Sequence, residues 1–223
     1  MRVLILNPNS SSEISYVIER EAKKYEKNDL EIDVIHNETA PSEIVTAYDE
    51  LTSGYDAVRL LKDKINIYDG AIIGCFADPG LYAAKYICNK PVTGFLESSL
   101  TYAKLIGFRY SLIASGDQKD ISLFKKDLFS RGDINNLASI RYINSTVLDA
   151  VNVNPLLLEE LSKKCKYEDG ANVIILACAA FAGKSDSLSK KIGLPVIDGV
   201  KESILLLESL IKYEEIKKIW NKQ

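Results

Sequence analysis

The feature that most constrains this chain is a series of short, continuously apolar runs separated by helical segments. Residues 3–6, 71–74 and 173–176 form such runs, and none of them alternates with polar residues as a half-exposed strand would. Strands that are buried on both faces read in this way, because the helices of a parallel sheet cover it on either side. The sequence therefore predicts an α/β fold with doubly wound parallel sheets.

The chain also contains a weak internal echo. Its first half reads AIIGCFADPG and then NKPVTGFLES, whereas its second half reads VIILACAAFAG and then GLPVIDGVKES. Cys75 lies 16 residues before Pro91, and Cys178 lies 17 residues before Pro195. In each copy a strand ends on a Cys, and a helix, a Pro-Val strand and a second helix follow.

Two such units predict two pseudo-symmetric lobes, each a parallel sheet covered by helices, that face one another across a cleft. We assign residues 1–96 and 203–223 to the first lobe and residues 97–202 to the second. Ligands of open α/β sheets bind beyond the carboxyl ends of the strands, where both cysteines lie. The cleft between the lobes is therefore the predicted active site.

Composition excludes several classes of function. The 223 residues carry a net charge of −3, so no basic surface for a phosphate backbone is expected and nucleic acid is not a predicted partner. The single His excludes a two-His metal site and argues against a triad built on His, and the four Cys form no C-x-x-C pair, so no metal site is predicted.

The amino-terminal residues lack a signal-peptide pattern, and no run approaches the roughly 20 apolar residues that span a bilayer. We therefore expect a cytoplasmic protein that has no membrane partner and whose thiols stay reduced.

The four cysteines separate into two pairs. Cys88 and Cys165 lie toward the ends of predicted helices and suit the role of small buried residues. Cys75 and Cys178 lie where a strand gives way to a helix, and a helix N-terminus would lower a thiol pKa. Two facing thiols can invert a carbon centre, because one removes a proton while the other delivers a proton to the opposite face. This chemistry requires no metal or organic cofactor.

At these residues the chain resembles the hydantoin and allantoin racemase branch of the Asp/Glu/hydantoin racemase superfamily. The resemblance covers nearly the full length, and its most specific part is the CF-x-DPGL pattern. It implies a cofactor-independent enzyme that uses Cys75 and Cys178 as acid and base. The motifs that carry it are NPNS at 7–10, GYDA at 54–57, GCFADPGLYAAK at 74–85, PVTGFLES at 91–98, GFRYSLI at 107–113, ACAAFA at 177–182 and GLPVIDGV at 193–200.

The chain departs from the family pattern at two places. Members often read Gly-Cys-Ala-Gly-Met around the second cysteine, where this chain has Ala-Cys-Ala-Ala-Phe and ends the motif on Phe181. Members often carry a Thr-Thr pair after the RYS strand, where this chain has Ala114 and Ser115. Ser115 keeps a hydroxyl that can donate a hydrogen bond to a substrate.

Further substrate-binding candidates lie beside the cysteines and after the first strand. The resemblance favours Asn7 as a ligand contact. Ser10 is either a ligand contact or part of a capping box with Glu13, and both readings stay open. The remaining candidates supply backbone N–H groups to a carbonyl oxygen, and they are Phe76, Ala77, Ala179 and Ala180.

Two Pro-containing pairs predict helix starts. Asp78 and Pro79 fit an N-cap followed by Pro at the first helical position, and Asn154 and Pro155 fit the same pattern. We therefore interpret Asp78 as a cap of the helix that follows it rather than as a catalytic acid.

The leading hypothesis is a cofactor-independent racemase that inverts C5 of a 5-substituted hydantoin or of allantoin. One alternative is an aspartate- or glutamate-type amino-acid racemase of the same superfamily, which predicts a basic or hydroxyl-rich pocket for the substrate carboxylate. The other is a non-catalytic protein that binds a small ligand on the same fold. We also expect a homo-oligomer, since the apolar face of the closing helix suits either the core or a subunit contact.

Overall fold

Two four-stranded sheets organise the computed structural model, which describes residues 1–27, 29–117 and 121–220. All neighbouring strands in both sheets run parallel. The first sheet has the order β2-β1-β3-β4 and the second the order β6-β5-β7-β8. The strands are β1 (Arg2–Asn7), β2 (Glu31–His36), β3 (Gly70–Ile73), β4 (Val92–Gly94), β5 (Tyr110–Ala114), β6 (Leu137–Tyr142), β7 (Val173–Leu176) and β8 (Val196–Ile197).

Helices cover these sheets, which confirms the predicted fold class. Two central strands are buried along their whole length because neither of their faces is open to water: all four residues of β3 and all four of β7 are buried. The helices are α1 (Ser12–Ala22), α2 (Ala47–Lys64), α3 (Leu81–Ile87), α4 (Phe95–Ile106), α5 (Ile121–Ser130), α6 (Pro155–Tyr167), α7 (Ser185–Ile192) and α8 (Val200–Trp220).

The weak internal repeat in the sequence corresponds to a repeated sheet topology. In the first sheet Leu6 of β1 pairs with Ile73 of β3, and in the second Ile113 of β5 pairs with Leu176 of β7. The two central strand pairs therefore have the same register. Cys75 lies two residues after Ile73, and Cys178 lies two residues after Leu176. The two cysteines therefore occupy equivalent positions at the ends of the two sheets.

The closing helix returns to the first half of the chain. α8 packs against α4 and against strands β3 and β4, and Leu207 is fully buried there. Within the part of the chain that the structure describes, no helix combines the length and the apolar character needed to cross a membrane. The lobe boundaries, the cytoplasmic location and the homo-oligomer stay predictions.

The predicted helix starts have different outcomes. Asn154 caps α6, accepting a hydrogen bond from Leu156 N–H at 2.9 Å with Pro155 at the start, as predicted. The capping serine of α1 is Ser11 rather than Ser10, and its hydroxyl accepts from Ile14 N–H at 3.2 Å. The prediction for Asp78 is wrong, because α3 begins only at Leu81 and Gly80 is its N-cap residue.

Candidate active site

A cavity of about 650 Å³ lies at the carboxyl ends of both sheets. Cys75 from the first sheet and Cys178 from the second both line it. The lining comes from the segments that follow β1, β2 and β3 in the first sheet and β5, β6 and β7 in the second, and α5 contributes Phe124. The structure therefore brings the two cysteines that the sequence singled out to one site, although they are about a hundred residues apart.

Cys75 lies at the start of a tight turn that follows β3. Its carbonyl oxygen accepts a hydrogen bond from Asp78 N–H at 3.1 Å, and the backbone N–H of Ala77 donates to its thiol. Gly74 precedes it, and a Cβ at Gly74 would lie 3.2 Å from Ile5 Cγ2 of the neighbouring strand. The turn leaves the Cys75 side chain partly exposed to the cavity.

Cys178 repeats this arrangement after β7. Its carbonyl oxygen accepts from Phe181 N–H at 2.9 Å, and the backbone N–H of Ala180 donates to its thiol. A third donor has no counterpart at Cys75 among the residues that the structure describes: the hydroxyl of Ser115 donates to Cys178 Sγ at 3.3 Å. Ser115, which we predicted to contact substrate, therefore also contacts a cysteine.

Burial favours the neutral form of both thiols. Desolvation raises the pKa of Cys75 to about 12, and the Ala77 N–H opposes this shift. Desolvation also raises the pKa of Cys178, against the hydrogen bonds from Ser115 and Ala180. The prediction of a pKa lowered by a helix N-terminus is wrong, because α3 begins six residues after Cys75 and a short 3₁₀ turn follows Cys178.

The other sequence candidates occupy distinct places around the cavity. Phe76, Ala77 and Ala179 line it together with Ser115. Ala180 is fully buried behind Cys178, and Ser10 donates its N–H to the carbonyl of Pro41 at 3.0 Å without lining the cavity.

Asn7 is buried behind the cavity wall. Its side-chain amide donates to Asn9 Oδ1 at 2.8 Å, to Ser15 Oγ at 2.9 Å and to the carbonyl of Ser11 at 3.2 Å. It therefore fixes the turn after β1, and the neighbouring Asn9 is the residue of this turn that lines the cavity.

Sequence reasoning missed the acidic lining of the cavity. Glu43, Glu50, Asp117 and Asp127 line it, and no described lining residue is Lys, Arg or His. Desolvation raises the pKa of Glu50, and the nearby Asp127 charge raises it further. These side chains come from α2, α5 and two loops, so no contiguous sequence motif predicts that they line one cavity.

Glu43 also joins the two halves of the molecule. Its carboxylate accepts hydrogen bonds from Val147 N–H at 2.6 Å and Leu148 N–H at 3.4 Å. The loop that precedes α2 is thereby held against the segment that follows β6, along one side of the cavity. Among the residues described, no group of three or more His, Cys, Asp and Glu side chains is placed to hold a metal ion.

Asp78, three residues after Cys75, holds the Cys75 turn against α4. Its carboxylate accepts hydrogen bonds from Glu97 N–H at 2.8 Å, Leu96 N–H at 3.1 Å and Arg131 Nη2 at 3.0 Å. Desolvation raises its pKa to about 7, so burial outweighs the opposing effect of Arg131. Its backbone has φ +44°, which is uncommon for a residue other than glycine.

This chain is similar in sequence to hydantoin racemases over most of its length. A 216-residue alignment with a hydantoin racemase from Pseudomonas sp. (strain NS671) is 32% identical and covers 95% of this chain and 86% of that protein. A hydantoin racemase from Paenarthrobacter aurescens is 30% identical, with 95% of this chain and 91% of that protein covered.

Solved structures show the same fold. Allantoin racemase from Klebsiella pneumoniae superposes with a TM-score of 0.90 at 24% identity, and the match covers 96% of this chain and 89% of that one. Residues 3–207 match the family model described as Asp/Glu/Hydantoin racemase. With that match over most of its length, the chain belongs to the Asp/Glu/hydantoin racemase family.

Proposed function

We propose that this protein is a cofactor-independent racemase that inverts C5 of 5-substituted hydantoins or of allantoin by proton transfer between Cys75 and Cys178. One observation carries the proposal: thiols from equivalent ends of two repeated sheets line a single cavity. Membership of the family supports racemase activity, and the names of the related hydantoin and allantoin racemases suggest the substrate class.

The proposed reaction needs one cysteine as thiolate and the other as thiol. The thiolate removes the C5 proton, and the thiol delivers its own proton to the opposite face of the planar intermediate. The charge that develops on the neighbouring carbonyl oxygen requires hydrogen-bond donors fixed in place. Phe76 and Ala179 line the cavity beside the two cysteines, and we assign this role to their backbone N–H groups.

The charge of the cavity favours a neutral ring over an amino acid. The aspartate- or glutamate-type alternative predicts a basic or hydroxyl-rich pocket for the substrate carboxylate. The described lining does contain hydroxyls, those of Thr46, Ser115, Ser145 and Thr146, but it contains no basic residue and four acidic ones, Glu43, Glu50, Asp117 and Asp127. Like charges in a partly desolvated site repel one another more strongly than they do in water. A hydantoin carries no free carboxylate, and its C5 proton is more acidic than the α-proton of an amino acid.

Solvent deuterium exchange observed by NMR tests the activity directly. We expect both enantiomers of a 5-substituted hydantoin or of allantoin to exchange the C5 proton and lose optical rotation, whereas aspartate and glutamate do not exchange. Exchange of the amino acids alone would support the first alternative. Binding of a hydantoin without exchange would support the non-catalytic alternative.

Cysteine variants test the two-base assignment. Cys75→Ser and Cys178→Ser should each reduce racemisation by at least 10²-fold, because a serine hydroxyl is a far weaker acid and base at the same place. Cys88→Ser is the matched control, since this third thiol lies outside the cavity lining and should retain full activity. Wild-type racemisation by either of the first two variants would refute the assignment.

A further inference from the structure

The surroundings of the two thiols differ, and the difference concerns which of them ionises first. Both accept a backbone N–H from the residue two positions later, Ala77 for Cys75 and Ala180 for Cys178. Because these donors repeat, they cannot distinguish the two sulfurs. Any difference between the pKa values of the two thiols must come from groups that the two halves do not share.

The unshared donor is Ser115. Register places Leu6 opposite Ile73 in the first sheet and Ile113 opposite Leu176 in the second. Two residues beyond Leu6 is Pro8, and two residues beyond Ile113 is Ser115. Proline offers neither a hydroxyl nor an N–H, so the position equivalent to Ser115 cannot donate a hydrogen bond to Cys75.

The charges around Cys75 oppose its ionisation. Asp78 and Glu50 both act on Cys75, and each negative charge raises the pKa of its thiol. Cys178 acts in the same direction, so a thiolate on Cys178 raises the pKa of the Cys75 thiol further.

The charges around Cys178 partly cancel one another. Glu43 raises the pKa of the Cys178 thiol and Lys184 lowers it. The Lys184 ammonium is held near this turn, since its Nζ donates to the carbonyl of Ala180 at 3.3 Å and to that of Val151 at 3.1 Å.

We propose that Cys178 ionises before Cys75 and is the base of the resting enzyme, and that Ser115 is the positioning residue that fixes this order by donating to the Cys178 sulfur. The proposal rests on the function proposed above and adds to it an order of ionisation. It assigns Ser115 a second role besides the predicted substrate contact.

The proton balance follows from this order. The Cys178 thiolate takes the C5 proton and becomes a thiol, while Cys75 gives its S–H proton to the opposite face and becomes a thiolate. After this step Cys178 is a thiol and Cys75 is a thiolate, the reverse of the resting form. A proton must pass from Cys178 to Cys75 through solvent before the resting form returns. The enantiomer whose C5–H faces Cys178 is the one that the resting form converts.

Thiol alkylation tests the order without any substrate. The enzyme is treated with iodoacetamide across a pH series, and mass spectrometry follows the alkylation rate of the peptides that contain Cys75 and Cys178. We expect the Cys178 rate to rise at a lower pH than the Cys75 rate. Ser115→Ala should shift the Cys178 midpoint upward by roughly 1 to 2 pH units, since a hydrogen bond to a charged group is lost.

Two further variants isolate the hydroxyl. Ser115→Thr keeps a donor and should restore the Cys178 midpoint, whereas Ser145→Ala removes another cavity hydroxyl, whose Oγ donates to the carbonyl of Thr146, and should leave the midpoint unchanged. In turnover, the rising limb of the pH profile of kcat/KM should move with Ser115→Ala by the same amount.

The outcomes separate this proposal from the proposed function. Earlier ionisation of Cys75, or a Ser115→Ala variant that shifts neither midpoint, would overturn the order of ionisation even in an active racemase. Absence of deuterium exchange would overturn the proposed function while the alkylation order could still be measured.

Discussion

The substitution Gly94→Ala tests how the Cys75 turn is held in place. Gly94 has φ −137° and ψ 169°, an extended conformation that any residue adopts, so its backbone does not require glycine. Its surroundings do require it, because an added Cβ would lie 2.1 Å from Oδ1 and 2.4 Å from Cγ of Asp78. An alanine at this position therefore displaces the Asp78 carboxylate.

The cost follows from the partners that the carboxylate leaves behind. Losing a helix cap costs about 1 kcal/mol, and removing one partner of a buried ion pair costs about 3–5 kcal/mol. Asp78 is fully buried and the side chain of Arg131 nearly so. Burial already raises the pKa of Asp78 to about 7, which offsets part of the stabilisation, so we expect a total near the lower end, about 3 kcal/mol. For a chain of this length that loss corresponds to a fall in Tm of roughly 6–12 °C.

A double-mutant cycle in urea measures whether the carboxylate is responsible. Gly94→Ala should lose about 3 kcal/mol in the native background and less than about 1 kcal/mol in an Asp78→Ala background, where no carboxylate occupies the space. Gly132→Ala is the control for backbone strain alone, since Gly132 has φ +75° with no atom within 4 Å of an added Cβ. That control should cost about 1–2 kcal/mol. An equal loss from Gly94→Ala in both backgrounds would refute the reasoning.

Two further predictions concern buried side chains. Burial raises the folded-state pKa of Asp78 and of Glu202 to about 7, so the stability linked to their neutral forms is present below their unfolded pKa values near 4 and is lost as the pH rises through about 7. Urea titrations should give a lower free energy of unfolding at pH 8 than at pH 5, and Glu202→Gln should reduce that difference; an unchanged difference would contradict this assignment. Phe181 is fully buried and does not line the cavity, so Phe181→Ala should cost about 3–5 kcal/mol in urea while Phe181→Met costs below about 1.5 kcal/mol and leaves KM unchanged. A changed KM in Phe181→Met would show that this departure from the family pattern shapes the site after all.

The sequence was sufficient to predict the fold and the meeting of the two cysteines. Continuous apolar strands predict a parallel sheet, because such a sheet buries both of its faces. The internal repeat places Cys75 and Cys178 at equivalent strand ends. The acidic lining was not predictable in this way, because residues such as Glu43 and Asp127 reach the cavity from a loop and a helix far apart in sequence. Their positions depend on tertiary packing rather than on local pattern.

The two Pro-containing pairs show the same limit. Asn154-Pro155 and Asp78-Pro79 are nearly identical as local signals, yet Asn154 caps its own helix and Asp78 caps one that begins at Phe95. Local hydrogen bonding decides the first case. In the second, the buried N–H groups of α4 and the charge of Arg131 attract the carboxylate more strongly than the turn does.

Comparison of the two halves explains why this difference affects the cysteines. In each half a buried aspartate accepts from a backbone N–H at the start of the helix after the last strand, Asp78 for α4 and Asp198 for α8. Asp198 directly precedes the helix that it caps, so no carboxylate is needed at the third residue after Cys178. That residue is the buried Phe181. The first half supplies its carboxylate from the third residue after Cys75 instead, and this places a negative charge within the Cys75 turn. Satisfying a helix terminus in two different ways therefore makes the two thiols electrostatically unequal, which a repeat with identical caps would not do.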